Sequence, residues 1–314
     1  MDAETFYLTA SDNQQIAVHR WLPLTKPRGI ILISHGMAEY ARRYNRFAEA
    51  ALALGFGVYA PDHRGHGETA GSLLKLGYLA DKNGFVRVME DLHELTLEIQ
   101  SKHPDTAIIL LGHSFGSFVS QMYIENYGNL LSGCVLSGTR GPDPLLVFGG
   151  KIAANVVAFC CGKKKQSPFL TQLSFGTYNN RISNPGSPNS WLSRDTAEVE
   201  QYDVSPWAGF TCTAGFFQDL TTGLSCIHKN EALNGIPKNL PVFIICGAED
   251  PVGQYGKTVK KLADILTGKG IKDLAIKIYA GSRHELLNEI NRDEVTDDVL
   301  DWISGCIAVS PDCR

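Results

Sequence analysis

The sequence predicts an α/β fold, with a mostly parallel central sheet and helices on both faces. Three observations point there. Short apolar runs of strand length, such as Ile30-Ile31-Leu32-Ile33 and Ile108-Ile109-Leu110-Leu111, alternate with amphipathic helical stretches. One of these runs passes through Gly112-His113-Ser114-Phe115-Gly116 directly into a helical pattern, with Phe118, Met122 and Tyr123 at helical spacing. Finally, the loops richest in reactive side chains each follow a strand, so a parallel sheet gathers them at one edge.

Taken in order, Glu4–Thr9 and Gln15–Trp21 read as strands joined by the turn signature Ser11-Asp12-Asn13. After Lys26-Pro27-Arg28, the run 29–34 reads as a buried strand that ends in His35-Gly36-Met37-Ala38-Glu39. Residues 42–54 predict an amphipathic helix closed by Gly55, and 57–60 a short strand leading into Asp62-His63-Arg64-Gly65-His66-Gly67. A helix is expected over 85–100 and a buried strand over 133–137. A helical stretch near 223–233 comes next, then strands over 241–246 and 274–279, with helices over 257–266 and 295–303.

Between them, residues 141–210 change character. Pro142, Pro144, Pro168, Asn184-Pro185-Gly186 and Pro188 alternate with apolar patches at Leu145–Phe148, Val156–Phe159 and Phe169-Leu170. The stretch is too long for a loop and too apolar for disorder. It predicts a mostly helical insertion over the sheet edge, and divides the chain into a core of residues 1–140 and 211–314 and an insertion of 141–210. The apolar patches should pack on the sheet edge or line a tunnel over it, with Phe159 or Phe169 facing inward.

Bulk properties narrow the function classes. The 314 residues, 44% of them hydrophobic, suit one large α/β domain with an insertion or two small domains. A net charge of −4 offers no basic field for nucleic acid. The one dense basic cluster, Lys163-Lys164-Lys165, reads as a solvated loop. The acidic start, Met1-Asp2-Ala3-Glu4, has no apolar core of a signal peptide. No membrane span of about 20 apolar residues is expected. The nearest candidate, 145–161, is interrupted by Gly149, Gly150, Lys151 and Asn155. The 8 cysteines lack metal-ligand spacing and read as reduced thiols, most of them core fillers, in a cytoplasmic protein.

The strand–turn–helix unit at Ser114 matches G-x-S-x-G in its expected context. The turn should strain Ser114 and project its hydroxyl above the sheet, while Gly112 and Gly116 let strand and helix approach. The bland alternative is a tight turn in which Ser114 only caps the helix. Serine catalysis also needs a base, an orienting carboxylate and oxyanion donors. His284 and Asp250 follow the last two strands, in the chain order Ser114, Asp250, His284. Glu249 and Glu285 are rival acids, and His35, His63, His66 and His113 are rival bases. Glu285 reads otherwise as a charge at the start of the last helices. The backbone N–H groups of Met37 and Phe115 are the expected oxyanion donors. His63 and His66, without carboxylate partners at ligand spacing, are weak metal ligands. No metal or cofactor is expected.

The motifs at 35–39 with Arg43-Tyr44, at 62–67, 112–116 and 247–252, and at His284-Glu285-Leu286-Leu287-Asn288-Glu289 together resemble the monoacylglycerol lipase/lysophospholipase branch of the α/β-hydrolases, with its serine-aminopeptidase-like domain. The resemblance spans nearly the whole chain. It implies a cofactor-free serine hydrolase acting on acyl esters, with a lid that can touch a membrane surface transiently. Phe115-Gly116-Ser117 stands where the family usually has Met-Gly-Gly, Ala38 and Tyr40 where it commonly has Gly and His, and 145–207 matches only loosely. The expected substrate is a single-chain acyl lipid, a monoacylglycerol or lysophospholipid. A serine exopeptidase and a non-catalytic binding protein on the same fold are the rival readings.

Overall fold

In the computed structural model, which describes residues 3–308, the strands β1 (Glu4–Thr9) and β2 (Gln15–Trp21) pair antiparallel, and β2 continues antiparallel onto β4 (Gly57–Pro61). The rest of the sheet is parallel: β3 (Ile30–Ser34), β5 (Ile108–His113), β6 (Gly133–Ser137), β7 (Val242–Gly247) and β8 (Leu274–Tyr279). The order across the sheet is β1-β2-β4-β3-β5-β6-β7-β8. Met1, Asp2 and Cys313 lie outside the described residues.

The central strands are apolar on consecutive residues because both their faces are covered. Ile30, Leu32, Leu110, Leu136 and Ile244 face the core under α2 (Gly84–Lys102), α3 (Phe115–Tyr127) and α9 (Lys257–Gly268). Ile31, Ile33, Ile109, Leu111 and Ile245 face the core under α1 (Asn45–Ala53) and α10 (Arg292–Ala308). Burying each such side chain contributes about 1.5–3 kcal/mol before chain entropy is counted. The predicted helix over 42–54 begins as a 3-10 turn, Ala41–Tyr44, and becomes α-helical only at Asn45.

Between β6 and β7 the chain leaves the sheet through α4 (Pro144–Cys161), α5 (Pro168–Phe175), α6 (Thr196–Val204), α7 (Ala214–Leu224) and α8 (Asn230–Asn234). Residues 176–195 hold neither helix nor strand, because Pro185, Gly186 and Pro188 punctuate them, so the mostly helical expectation fails there. It holds at Gly149-Gly150, where α4 runs through unbroken although these glycines interrupt the apolar run. The Asp143 carboxylate caps α4 by accepting from the Leu146 N–H at 3.3 Å, and Pro144 opens its first turn. By length and composition α4 could cross a membrane, yet it docks along α7 instead. Its polar residues make that docking specific. Lys151 Nζ donates to Ser225 Oγ at 3.4 Å, and Gln218 Nε2 donates to Asn155 Oδ1 at 2.7 Å.

Candidate active site

Ser114 follows the carboxyl end of β5 with φ 51° and ψ −118°, a conformation that costs a non-glycine residue about 1–3 kcal/mol. Hydrogen bonds over-determine it. The Ser114 N–H donates to the Ser137 carbonyl at 2.9 Å, while its own carbonyl accepts from the Ser117 N–H at 2.8 Å and the Ser117 hydroxyl at 2.6 Å. The turn is possible only because two side chains are missing. A Cβ on Gly116 would sit 1.9 Å from the Ser34 carbonyl oxygen, and one on Gly112 would sit 2.2 Å from Ser120 Oγ.

His284 and Asp250 reach the same edge from the loops after β8 and β7. His284 Nδ1 lies 3.0 Å from Asp250 Oδ2, and Asp250 Oδ1 accepts from the Val252 N–H at 2.9 Å. Both residues are buried. Donation from Nδ1 to the carboxylate leaves Nε2 as the basic nitrogen, and His284 and Ser114 line one cavity. Burial alone would push the His284 imidazole down. The charge and hydrogen bond of Asp250, with Glu285 and Glu39 behind it, reverse this, and the net shift is upward from 6.5. Trp191 and His113 flank the ring, with centroids 4.9 Å and 4.8 Å from it. Burial, and then the neighbouring His284 charge, push His113 down to about 4, so it stays neutral.

The rival acids are committed elsewhere. Glu249 is exposed. Glu285 stands just before the 3-10 turn Leu286–Asn288, but its carboxylate does not cap that turn. Both its oxygens accept from Arg43, at 2.7 Å each, and Arg43 also donates to Glu39 Oε2 at 2.6 Å. Burial would raise the Glu285 carboxyl, but the Arg43 guanidinium holds it well below the usual carboxylate range. Sequence reasoning quoted Glu39 and Arg43 as motif members but missed this network, although their i, i+4 spacing was the available signal. Nothing in the sequence pointed to Trp191.

The network shapes the loop after β3. Glu39 Oε1 accepts from the Gly36 N–H and from the Tyr44 hydroxyl, and His66 Nε2 accepts from the Ala38 N–H at 3.2 Å. Gly36 and Ala38 are thus satisfied internally. The Met37 N–H between them makes no hydrogen bond among the described residues. The Phe115 N–H opens α3 and has no acceptor one turn back. Met37 and Phe115 both line the cavity.

The rival bases His35, His63 and His66 are bonded within the loops around the site. His35 Nε2 accepts from the His63 N–H at 2.9 Å, and His66 Nδ1 donates to the Arg64 carbonyl at 2.9 Å. His63 Nε2 pairs with Ser34 Oγ at 3.1 Å. Burial is the main cause that pushes these imidazoles down, His66 to about 3. Among the described residues no group of three or more His, Cys, Asp or Glu could hold a metal ion.

The cavity above Ser114 measures about 710 Å³. Leu145, Leu146 and Val147 of α4, Leu170 and Phe175 of α5, and Phe217 and Leu220 of α7 give it apolar walls. Phe159 and Phe169 are absent from them and stand 91% and 62% exposed, which corrects the expectation that one faces inward. The phase is set by α7: Ala154 and Ala158 turn toward the protein, so Phe159 turns away. The segment 190–194 is tied to the His284 loop. Arg283 donates to the Ser190 and Ser193 carbonyls at 2.7 and 2.8 Å, the Glu285 N–H to the Leu192 carbonyl at 2.7 Å, and Arg194 to Glu289 at 2.8 Å.

Comparison with known proteins agrees with this fold. A family model described as serine aminopeptidase, S33 matches residues 25–291. A monoacylglycerol lipase of Mycolicibacterium smegmatis is 31% identical over 90% of each chain. A monoglyceride lipase of Rattus norvegicus is 27% identical, covering 97% of this chain and 91% of its own. The crystal structure of a highly thermostable carboxyl esterase from Bacillus coagulans, in complex with glycerol, superposes with a TM-score of 0.90 at 30% identity, over 98% of this chain and 99% of that one. With its mostly parallel eight-stranded sheet, the chain belongs to the serine aminopeptidase S33 family and has the α/β-hydrolase fold.

Proposed function

We propose that the chain is a serine carboxylic-ester hydrolase that cleaves single-chain acyl lipids, a monoacylglycerol or a lysophospholipid, through an acyl-enzyme on Ser114. One observation carries the reading: Ser114 and the Asp250-bonded His284 open together onto an apolar cavity large enough for an acyl chain. In the proposed reaction His284 Nε2 accepts the Ser114 proton as Oγ attacks the acyl carbonyl carbon, and Asp250 stabilises the imidazolium. The Met37 and Phe115 N–H groups meet the oxyanion. The imidazolium then protonates the leaving alcohol. Water, deprotonated by His284, attacks the acyl-enzyme and releases the fatty acid.

The lipase and esterase relatives support this substrate class. A peptidase that held a substrate ammonium would need an uncommitted carboxylate. The acids lining the cavity, Glu39 and Glu285, both serve Arg43. We assign residues 141–210, with α7 docked against them, as the lid, and the core as 1–140 and 211–314. The exposed residues Leu145, Phe148, Ile152 and Phe159 of α4 are the surface this lid offers to a membrane holding its substrate. A fluorophosphonate probe should label the native chain and leave Ser114→Ala unlabelled, with turnover of soluble esters reduced on the order of 10⁴-fold or more. Normal turnover in that variant would transfer the nucleophile elsewhere. Turnover of aminoacyl amides in place of esters would restore the peptidase.

A further inference from the structure

The end of α4 carries a feature that ester hydrolysis does not use. Cys160 and Cys161 close the helix side by side, both exposed. Of the other described cysteines, Cys134, Cys212, Cys246 and Cys306 are buried and Cys226 is half-buried. The pair extends an outward stripe in which Ile152, Val156 and Phe159 are 50%, 56% and 91% exposed. Cys160 sits four residues beyond Val156 and eight beyond Ile152, which places it on that stripe. After the turn at Gly162 come Lys163, Lys164 and Lys165, all exposed. Their side chains make weak surface contacts: Lys164 pairs with Asp81 at 3.2 Å, with side chains 70% and 80% exposed, and lies 5.2 Å from the Tyr78 ring centroid, while Lys163 Nζ donates to the Asp81 carbonyl at 3.5 Å.

We propose that Cys160 and Cys161 are a site of reversible S-acylation by long-chain fatty acyl groups, which fix the α4 face on an anionic membrane. The apolar stripe brings the thiols to the bilayer, and the lysines meet its headgroups. The donor is a long-chain acyl thioester, such as an acyl-coenzyme A. The cysteine sulfur, as thiolate, attacks the thioester carbonyl carbon. A new carbon–sulfur bond forms, the donor's carbon–sulfur bond breaks, and the leaving thiolate takes up the proton that the cysteine released. Nothing is oxidised or reduced, and hydrolysis of the new thioester restores the thiol. One myristoyl chain binds a membrane marginally, on the order of 10⁴ M⁻¹, and stable residence of an acylated protein takes a second chain or a basic patch. This site has both. The inference goes beyond ester hydrolysis and does not depend on it.

The test uses the full chain carrying Ser114→Ala, so that no acyl group can be held as an oxyester on the proposed nucleophile. The protein is made in cultured animal cells fed an alkynyl palmitate, purified, and scored for label before and after neutral hydroxylamine. Label that hydroxylamine removes is expected, and C160S/C161S should reduce it by roughly tenfold or more while C226S keeps it. K163Q/K164Q/K165Q should weaken binding of the acylated chain to phosphatidylcholine–phosphatidylserine vesicles by roughly 100-fold, and leave binding to pure phosphatidylcholine unchanged. With Ser114 restored, C160S/C161S should keep its thermal midpoint and its turnover of soluble esters, which rules out misfolding as the cause of lost label. Absence of hydroxylamine-sensitive label, or its persistence in C160S/C161S, overturns the proposal. Because label is read on Ser114→Ala, neither result bears on the hydrolase reading.

Discussion

Replacing Leu146 by Asp should change how turnover depends on acyl chain length without damaging the fold. Leu146 is 56% exposed and lines the cavity from the first turn of α4. A carboxylate in that turn suits the positive end of the helix, so the helix tolerates it. The acyl chain does not. Each buried methylene contributes about 0.8 kcal/mol, so in the native protein two more carbons should raise kcat/KM roughly tenfold until the chain fills the cavity. The series should therefore climb from acetyl to at least octanoyl, then level off or fall. Losing the Leu146 wall and facing a charge removes about one to two methylenes' worth of contact, roughly a tenfold loss on octanoyl esters and little on acetyl. Phe159→Asp, on the exposed side of the same helix, should leave the octanoyl-to-acetyl ratio unchanged. The assay is a p-nitrophenyl ester series kept below micelle-forming concentrations. A maximum at acetyl would remove the lipid substrate, and an unchanged ratio in Leu146→Asp would show that the acyl chain does not lie along α4.

Asp250→Asn should lower kcat on the order of 10³–10⁴-fold, whereas Glu249→Gln, at an exposed position, should cost far less. The native pH profile of kcat/KM should lose activity as pH falls through an imidazole pKa above 6.5, because the base must be neutral, and Asp250→Asn should move that limb to lower pH. The same upward shift stabilises the fold below 6.5 and ceases to do so as pH rises through the folded value, which stability measurements in urea at stepped pH will read. Arg43→Met should destabilise the protein by about 3–5 kcal/mol in urea unfolding, because it leaves Glu285 and Glu39 buried without a cation. Activity should survive excess EDTA, since the histidines at 35, 63 and 66 already spend nitrogens on the backbone or on Ser34. Loss that zinc restores would contradict this.

The sheet was legible because its strands announce themselves locally: Glu4–Thr9, Gln15–Trp21 and Leu274–Tyr279 have the bounds that their apolar runs predicted. The loops carrying Ser114, Asp250 and His284 were readable for the same reason, since each follows a strand. The insertion resisted. The helix α4 is apolar on most of its surface, so its periodicity does not say which side α7 will cover, and Phe159 turns away from the cavity. Gly149-Gly150 interrupts the apolar run in the sequence, yet the helix continues, since packing along α7 outweighs a helix-propensity cost of about 1 kcal/mol per glycine. The ring of Trp191 against His284 arises from a stretch without helix or strand, where no periodic pattern exists to read.

The ties between residues 190–194 and the His284 loop limit how the lid can move. A lid swinging as one body would tear Arg283 from two carbonyls and Arg194 from Glu289, and would carry Trp191 off the imidazole it covers. The geometry of the base would be lost at the moment a substrate entered. Any opening of the proposed lid must therefore leave residues 190–194 in place beside the base. Residues 176–189, which hold neither helix nor strand, link α5 to that moored segment, and Tyr178 packs its ring on Trp191, with centroids 4.9 Å apart. Amide exchange should then be slower in 190–194 than in 176–189, because movement of the first segment would disturb the base itself.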